Sequence, residues 1–164
     1  MRLLTAGFLA LIGLALALPA ALRHLPTGAP TAAPVVAGYG DGWNSIAVPR
    51  QVDGQFVVAG VVNGAEVTFL IDSGATEIVL SPADARRAGY RAAQLRFSRT
   101  AATANGTVRL APVHLRELRI GQLSRRGLDA VVNEAPMPVS LLGTSFLSRL
   151  EGWEAKDGQL MLYW

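Results

Sequence analysis

The residues from Phe69 to Thr76, Phe-Leu-Ile-Asp-Ser-Gly-Ala-Thr, set a carboxylate and a hydroxyl side by side at the end of an apolar run. Aliphatic residues at 69–71, and again at Ile78-Val79-Leu80, predict two buried strands with Asp72 on the tight loop between them. A carboxylate is costly to bury there unless it is hydrogen-bonded or shares its proton with a second acid. Ser73 is both donor and acceptor within a crowded loop. Gly74 lacks a Cβ and lets a second backbone come close. Other chemistries have little material. With no cysteine there is no thiol nucleophile, disulfide framework or thiolate zinc site. His24 and His114 are the only imidazoles, too few for a histidine metal cluster, and no Gly-x-Ser-x-Gly elbow is present. His114 reads as a surface or half-buried strand residue without an identifiable partner. No metal and no cofactor are expected.

The elements that must hold this loop are mostly strands. Phe56–Val62 and Glu66–Ile71 flank Asn63-Gly64, a strong hairpin signal, so Asp72 follows a hairpin's second strand. Ser81-Pro82-Ala83-Asp84 predicts a helix start, with Ser81 as N-cap, Pro82 in the first turn and Asp84 at the positive end; Gly89 closes it. Phe97–Thr103 and Thr107–Leu115 bracket a second hairpin signal, Asn105-Gly106, whose polar arms suit a mobile cover or an ordinary surface hairpin. Further strands are predicted at Leu115–Ile120 and Leu128–Val132, with turns at Gly121 and Gly127. Val139–Gly143 leads into a short capped helix over Thr144–Leu150, and a last hairpin turns at Asp157-Gly158. An apolar strand, a Gly-containing loop and a short helix thus occur twice, at 69–88 and 139–150.

These residues resemble the retropepsin-like aspartic proteases, in particular their single-domain bacterial branch with an N-terminal membrane segment. The likeness covers roughly residues 43–164. It is carried by Phe69–Thr76, by Leu80-Ser81-Pro82-Ala83-Asp84-Ala85, by Thr103-Ala104-Asn105-Gly106-Thr107 and by Leu141-Leu142-Gly143-Thr144-Ser145-Phe146-Leu147. The resemblance implies an all-β fold, a closed β-barrel with one or two short helices. It implies Asp72 as the catalytic aspartate, supported by Ser73, Gly74, Ala75 and Thr76. Ser73 would link two catalytic loops, and Gly74 would donate its N–H towards the carboxylate. Asn105 and Gly106 would tip the flap over substrate, and Leu141, Leu142 and Gly143 would pack against the catalytic loop. Two departures stand out: Ser73 replaces the more usual threonine, and Thr144-Ser145 replaces the Arg-Asp/Asn of retroviral members.

Peptide hydrolysis of this kind needs two carboxylates sharing one proton. No second Asp-Ser-Gly exists. Asp53-Gly54 and Asp157-Gly158 are turn pairs, Asp129 has no adjacent glycine, Asp41 falls in a linker and Asp84 on a helix. One chain therefore supplies half a site, and a symmetric homodimer is expected to complete it, with an extended peptide or unfolded protein as substrate. The C-terminal strand ending at Trp164 is a candidate for an intersubunit sheet. The alternative is a peptide-binding or envelope scaffold module that keeps the fold without hydrolysis.

The chain has 164 residues, 51% apolar and 16% charged, enough for one domain and an extension. Its net charge of +3 includes Arg2 and Arg23, which flank an uncharged run from Leu3 to Leu22. The remaining arginines are scattered, apart from the pairs Arg86-Arg87 and Arg125-Arg126, read as solvated charges on a helix face and a loop; nucleic acid is not an expected partner. The apolar run is long enough for a transmembrane helix. The division is then an anchor or signal peptide at 1–25, a Pro/Gly-rich flexible linker at 26–42 and a protease-like domain at 43–164. A single-pass protein of the inner (cytoplasmic) membrane, with its domain on the periplasmic or extracytoplasmic side, is expected.

Overall fold

The computed structural model describes residues 36–40, 43–103 and 106–164. The apolar run at 3–22 lies outside them, and among the described residues no helix is long and apolar enough to cross a membrane. Strands dominate: β1 (Val36–Gly40), β2 (Trp43–Pro49), β3 (Val57–Val62), β4 (Ala65–Ile71), β5 (Ile78–Leu80), β6 (Arg99–Thr103), β7 (Gly106–Ile120), β8 (Leu123–Asn133), β9 (Ser140–Leu142), β10 (Gly152–Lys156) and β11 (Gln159–Tyr163). Two short helices, α1 (Pro82–Arg87) and α2 (Thr144–Leu147), complete the list. Residues 36–40, assigned to the linker by composition, pair instead as β1 with β2 from Val36↔Ala47 to Gly40↔Trp43. Strand pairing is made by backbone groups, which composition does not register.

Six strands close a barrel in the order β3-β4-β9-β5-β8-β7 and back to β3. The closing pairs are Val61↔Arg119 and Val62↔Leu118. Alternation of small and branched apolar residues along β3 and β4 buries Val58, Val62, Val67 and Phe69 inside. Phe146, Leu115, Leu118, Ile120 and Leu142 fill the same core. β4 and β5 do not pair with each other. β9 lies between them, parallel to β4 (Phe69↔Ser140, Ile71↔Leu142) and antiparallel to β5 (Ile78↔Leu142). The two similar strand-loop-helix segments of the sequence are thus neighbours in space.

Two predicted boundaries move. The strands expected at Thr107–Leu115 and Leu115–Ile120 are one, β7, and Gly127 is not a turn but lies within β8 at φ +65. The pairing register is the same on both sides, Leu115↔Leu128 and Glu117↔Arg126, but the buried face changes over. Leu115 and Leu128 are buried before the kink, Leu118 and Leu123 beyond it, so the inward parity shifts by one in each strand. Glycine accepts the left-handed φ that makes this possible, and its lack of a side chain had read as a turn. Arg125-Arg126 accordingly sits in β8 rather than in a loop.

A second sheet, β1-β2-β11-β10, packs Ile46, Val48, Leu160 and Leu162 against the barrel core. β11 is interior to it, flanked by β2 and β10, so the C-terminal strand has both edges occupied within its own chain. The edges of this sheet are β1 and β10, the latter carrying the exposed Trp153.

Candidate active site

The strand β4 ends at Ile71 and delivers Asp72 to the mouth of the barrel, where the chain crosses to β5 through residues 72–77. The Asp72 amide donates to Leu142 O at 3.0 Å, and Ala75 N donates back to Asp72 O at 3.1 Å. Gly74 N donates to Asp72 Oδ1 at 2.8 Å, which fixes the orientation of the carboxyl group on the loop. Asp72 is half-buried, and among the described residues its carboxylate has no side-chain partner. Ser73 is exposed and its hydroxyl is likewise free of partners among the described residues.

The far side of the loop is held by the segment after β9. Thr144 N donates to Ala75 O at 2.8 Å, Ser145 N to Thr76 O at 2.9 Å and Thr144 Oγ1 to Thr76 O at 3.3 Å. Gly143 makes this approach possible: a Cβ there would lie 2.5 Å from both Ala75 O and Glu77 O. The expected capped helix at 144–150 is shorter, four residues, and its N-cap is Gly143 with no side-chain cap. The Thr144 hydroxyl is spent on the Asp72 loop instead. Leu141 and Leu142 lie on β9 beside Leu70 and Ile71.

The candidate flap is the hairpin of β6 and β7, in register from Arg99↔Leu110 to Thr103↔Gly106. Asn105 lies outside the described residues, whereas Gly106 has φ +111 and its carbonyl accepts from Thr103 Oγ1 at 2.8 Å. Both arms are largely exposed. The base of the hairpin is clipped to the rest of the site by Arg99 Nη1 to Glu77 Oε1 at 2.7 Å and Arg109 Nη1 to Glu134 Oε1 at 3.0 Å. The Glu77 carboxylate raises the Arg99 pKa further, first through this hydrogen bond. Glu77 and Arg99 stand twenty-two residues apart, and only their position beside the Asp72 loop marks them out. A groove of about 520 Å3 runs beside the loop along Glu77, Arg99, Pro112, Val113 and His114; Asp72 is not among its walls.

The other acids are engaged elsewhere. Asp53 Oδ1 accepts from Gln55 N, and Asp157 occupies a hairpin turn at φ +51. Asp129 faces His114 at 3.0 Å, so this histidine does have a partner, directly across the β7–β8 ladder. Asp84 is buried and accepts from Ser81 Oγ at 2.8 Å and Ser140 Oγ at 2.6 Å, while Arg87 pairs with its other oxygen. It ties α1 to β9. Asp41 is outside the described residues. Among the described residues no group of three or more His, Asp or Glu is placed to hold a metal ion.

Asn63 has a role the sequence does not advertise. Its turn conformation, φ +52, aims Oδ1 at the amides of Arg116 (2.9 Å) and Glu117 (3.3 Å). Its Nδ2 donates to Tyr90 Oη at 3.1 Å and Ala88 O at 3.4 Å. One side chain thus joins the β3–β4 turn, the end of α1 and the kink of β7 where the barrel closes.

Known proteins share these features. Residues 58–149 match the family described as "gag-polyprotein putative aspartyl protease". An uncharacterised Sinorhizobium protein, from the region 5′ of cobV, is 37% identical over 123 residues, 74% of this chain and 53% of its own. An uncharacterised Rickettsia prowazekii protein is 33% identical over 117 residues, 71% of this chain and 50% of its own. The chain spans about half the length of the curated relatives it matches. The crystal structure of a retropepsin-like aspartic protease from Rickettsia conorii superposes with a TM-score of 0.66 at 27% identity, over 80% of this chain and 94% of that one. The EIAV protease complexed with the inhibitor HBY-793 shares the fold, with a TM-score of 0.53 at 19% identity over 65% of this chain and 97% of that one.

Proposed function

We propose, from the premise that this chain belongs to the retropepsin-like aspartic protease family, that it is an endopeptidase whose active site forms between two copies of itself. The observation that carries the reading is Asp72: a half-buried carboxylate, fixed by Gly74 N–H at 2.8 Å and otherwise unaccompanied, at the mouth of the barrel. A two-fold axis beside residues 72–74 brings Asp72 against its copy, an isologous contact. The free Ser73 hydroxyl stands next to it, suited to bridge the two loops.

Two carboxylates this close retain one proton between them. The ionised member takes a proton from water as the water oxygen attacks the scissile carbonyl carbon, and the protonated member gives its proton to the carbonyl oxygen. The tetrahedral intermediate, a gem-diol, then loses its amine, which leaves with a proton from the pair, while one of the two hydroxyls gives its proton back to the pair as the carbonyl re-forms and a carboxylic acid results. The pair ends with the single proton it began with. Gly74 N–H keeps the Asp72 carboxylate oriented throughout. Substrate lies extended beneath the β6–β7 hairpins, which offer backbone hydrogen bonds and close over it.

Within one chain β11 is paired on both sides, by β2 and β10, so a second copy meets the open edges β1 and β10 of the four-stranded sheet rather than a free C-terminal strand. The run Leu3–Leu22 tethers the domain to the inner membrane, on the periplasmic side, with 26–35 as the linker. Confinement to a plane raises the effective concentration of partners. The test is the full chain, wild type against Asp72→Asn, on a denatured protein substrate from acid to neutral pH, with sedimentation at the assay concentrations. Cleavage that needs Asp72 and rises with the dimer fraction supports the reading. Cleavage by a strict monomer removes the shared site, and equal residual activity in both proteins leaves a non-catalytic peptide-binding module.

A further inference from the structure

The strand β4 runs from the Asn63-Gly64 turn at one end to Asp72 at the other, seven residues or roughly 20 Å away. The end remote from Asp72 is rich in arginine. Arg116, Arg119 and Arg126 are exposed on the kinked halves of β7 and β8, Arg125 is half-exposed there, and Arg86 and Arg87 are exposed on α1. Contacts gather Arg116, Arg126 and Arg87 around the Asn63 turn, whereas Arg125 Nη2 reaches Arg149 O at 3.5 Å, away from it. Asn63 binds the Arg116 and Glu117 amides, Arg126 Nε lies 3.6 Å from Glu117, and Arg87 Nη2 reaches Glu66 O at 3.5 Å. Asn63, Gly64, Arg116, Glu117 and Arg126 line a shallow concavity of about 480 Å3.

The counter-charges do not balance them. Asp84 is buried and taken by Arg87 and two hydroxyls, and Glu117 already accepts from Ser124 Oγ at 3.0 Å while facing Arg126. Glu66 is the remaining carboxylate at this end. Among the described residues, five guanidiniums at this end, those of Arg86, Arg87, Arg116, Arg119 and Arg126, meet three carboxylates, whereas Asp72, Glu77, Asp129 and Glu134 belong to the mouth and the flap side of the barrel. The kink at Gly127 produces this patch, because it turns Arg116 and Glu117 outward together in consecutive positions.

We propose that this arginine-rich end is a docking surface for a bilayer containing anionic phospholipid, holding the domain with its mouth turned away from the membrane. The partner follows from charge complementarity and from the length of chain that precedes the domain, so the proposal rests on the tether of the preceding section. Residues 23–35, thirteen in all, separate the apolar run from β1 and reach at most about 45 Å. The domain is roughly 35 Å across. Once Leu3–Leu22 is inserted, the linker keeps the domain within about 45 Å of the bilayer, so the arginines meet the headgroups repeatedly. Each contributes to binding, and the attraction fades within a Debye length and with salt.

The chain has no cysteine, so a single introduced one reports cleanly. The full chain with Ser124→Cys carries a fluorophore at the basic end, and with Asp157→Cys at the opposite sheet. Each is placed in nanodiscs of phosphatidylcholine alone or with about one third phosphatidylglycerol, containing a headgroup nitroxide quencher. The expected result is strong quenching of the Ser124→Cys label in anionic discs only. It is lost near 0.5 M salt, where the screening length is only a few ångströms. It is also lost in Arg116→Ser/Arg119→Ser/Arg126→Ser, and retained in the corresponding triple lysine variant. Quenching that is equal in both lipids, stronger for Asp157→Cys, or unchanged in the serine variant overturns the docking surface. Flotation with neutral vesicles judges the tether separately. A chain that floats with neutral vesicles but shows no lipid-dependent quenching keeps the tether and loses the docking surface. One that floats only with anionic vesicles, through its arginines, loses the tether and keeps the docking surface.

Discussion

Replacing Asp72 by asparagine changes one atom type and leaves Oδ1 as an acceptor for Gly74 N–H, now 2.8 Å away. The variant is expected to fold with a melting temperature close to wild type and to lose roughly 10³-fold or more in kcat/KM on an unfolded protein substrate. Thermal unfolding and a discontinuous peptide assay check the two halves. At Tyr90 the relevant variable is pH. Burial, partly offset by the Asn63 hydrogen bond and by Arg116, raises its hydroxyl above the ordinary 10.0. The folded state therefore favours the neutral phenol, which donates to His114 O at 2.7 Å. Its contribution is fully present below pH 10.0 and is lost as pH rises through the higher folded value. Tyr90→Phe should be less stable by about 1–2 kcal/mol at neutral pH. Urea unfolding at stepped pH should show that gap narrowing in the alkaline range. The sequence marks Asp72 because apolar strands on both sides announce a buried loop. It marks Asn63 only as a turn residue and Asp84 only as part of a helix start, and gives no sign of the bonds that Tyr90, Asn63 and Asp84 make to β7 and β9, 24 to 56 residues away.

Single elements are pinned by close approaches, and these set the cost of changing them. A Cβ at Gly143 would collide with the backbone at Ala75 O, Glu77 O and Glu77 N, none of which can swing aside. Gly143→Ala should cost about 2–3 kcal/mol and depress activity beyond what lost stability explains, since the displaced residues carry the Asp72 loop. Equilibrium urea unfolding beside a KM and kcat comparison tests this. Asn63→Gly keeps the left-handed turn and removes only the clamp. A loss of about 2–4 kcal/mol is expected, because the Arg116 and Glu117 amides lose their acceptor and the Tyr90 hydroxyl, still donating to His114 O, loses the Asn63 donor. Hairpins at Asn63-Gly64 and Asp157-Gly158 were legible because the turn demands those residues whatever surrounds it. Gly127 was not, because a glycine that twists a strand and one that ends it look alike in a row of letters. The helix after Gly143 was overextended for a related reason. Thr144 has cap chemistry, and only the nearness of Thr76 decides where its hydroxyl goes.

For the whole molecule the controlling fact is one suitable carboxyl group per chain. Equal amounts of wild type and Asp72→Asn, mixed and allowed to exchange, should retain about one quarter of the activity of the same total of wild type, because only wild-type pairs hold two acids. A value near one half would mean that each copy works alone. The barrel could be anticipated from the family resemblance, and the position of Asp72 after the second strand of a hairpin from the motif and its flanking strands. The intrachain sheet could not, because β1 is drawn from a stretch whose composition resembles a tether and β11 pairs with the distant β2.

The placement of β9 between β4 and β5 reaches into biosynthesis. Those two strands, which carry either end of the Asp72 loop, have no bonds to one another until residues 140–142 thread between them. A polypeptide still emerging at Asn133 holds its aspartate on an unsupported connection, without the Leu142 carbonyl or the Thr144 and Ser145 amides that shape it. Such long-range closure is slow and comes late. The Asp72 loop thus takes its shape only after β9 and the two residues beyond Gly143 have left the ribosome, which sets formation of the candidate site late in synthesis.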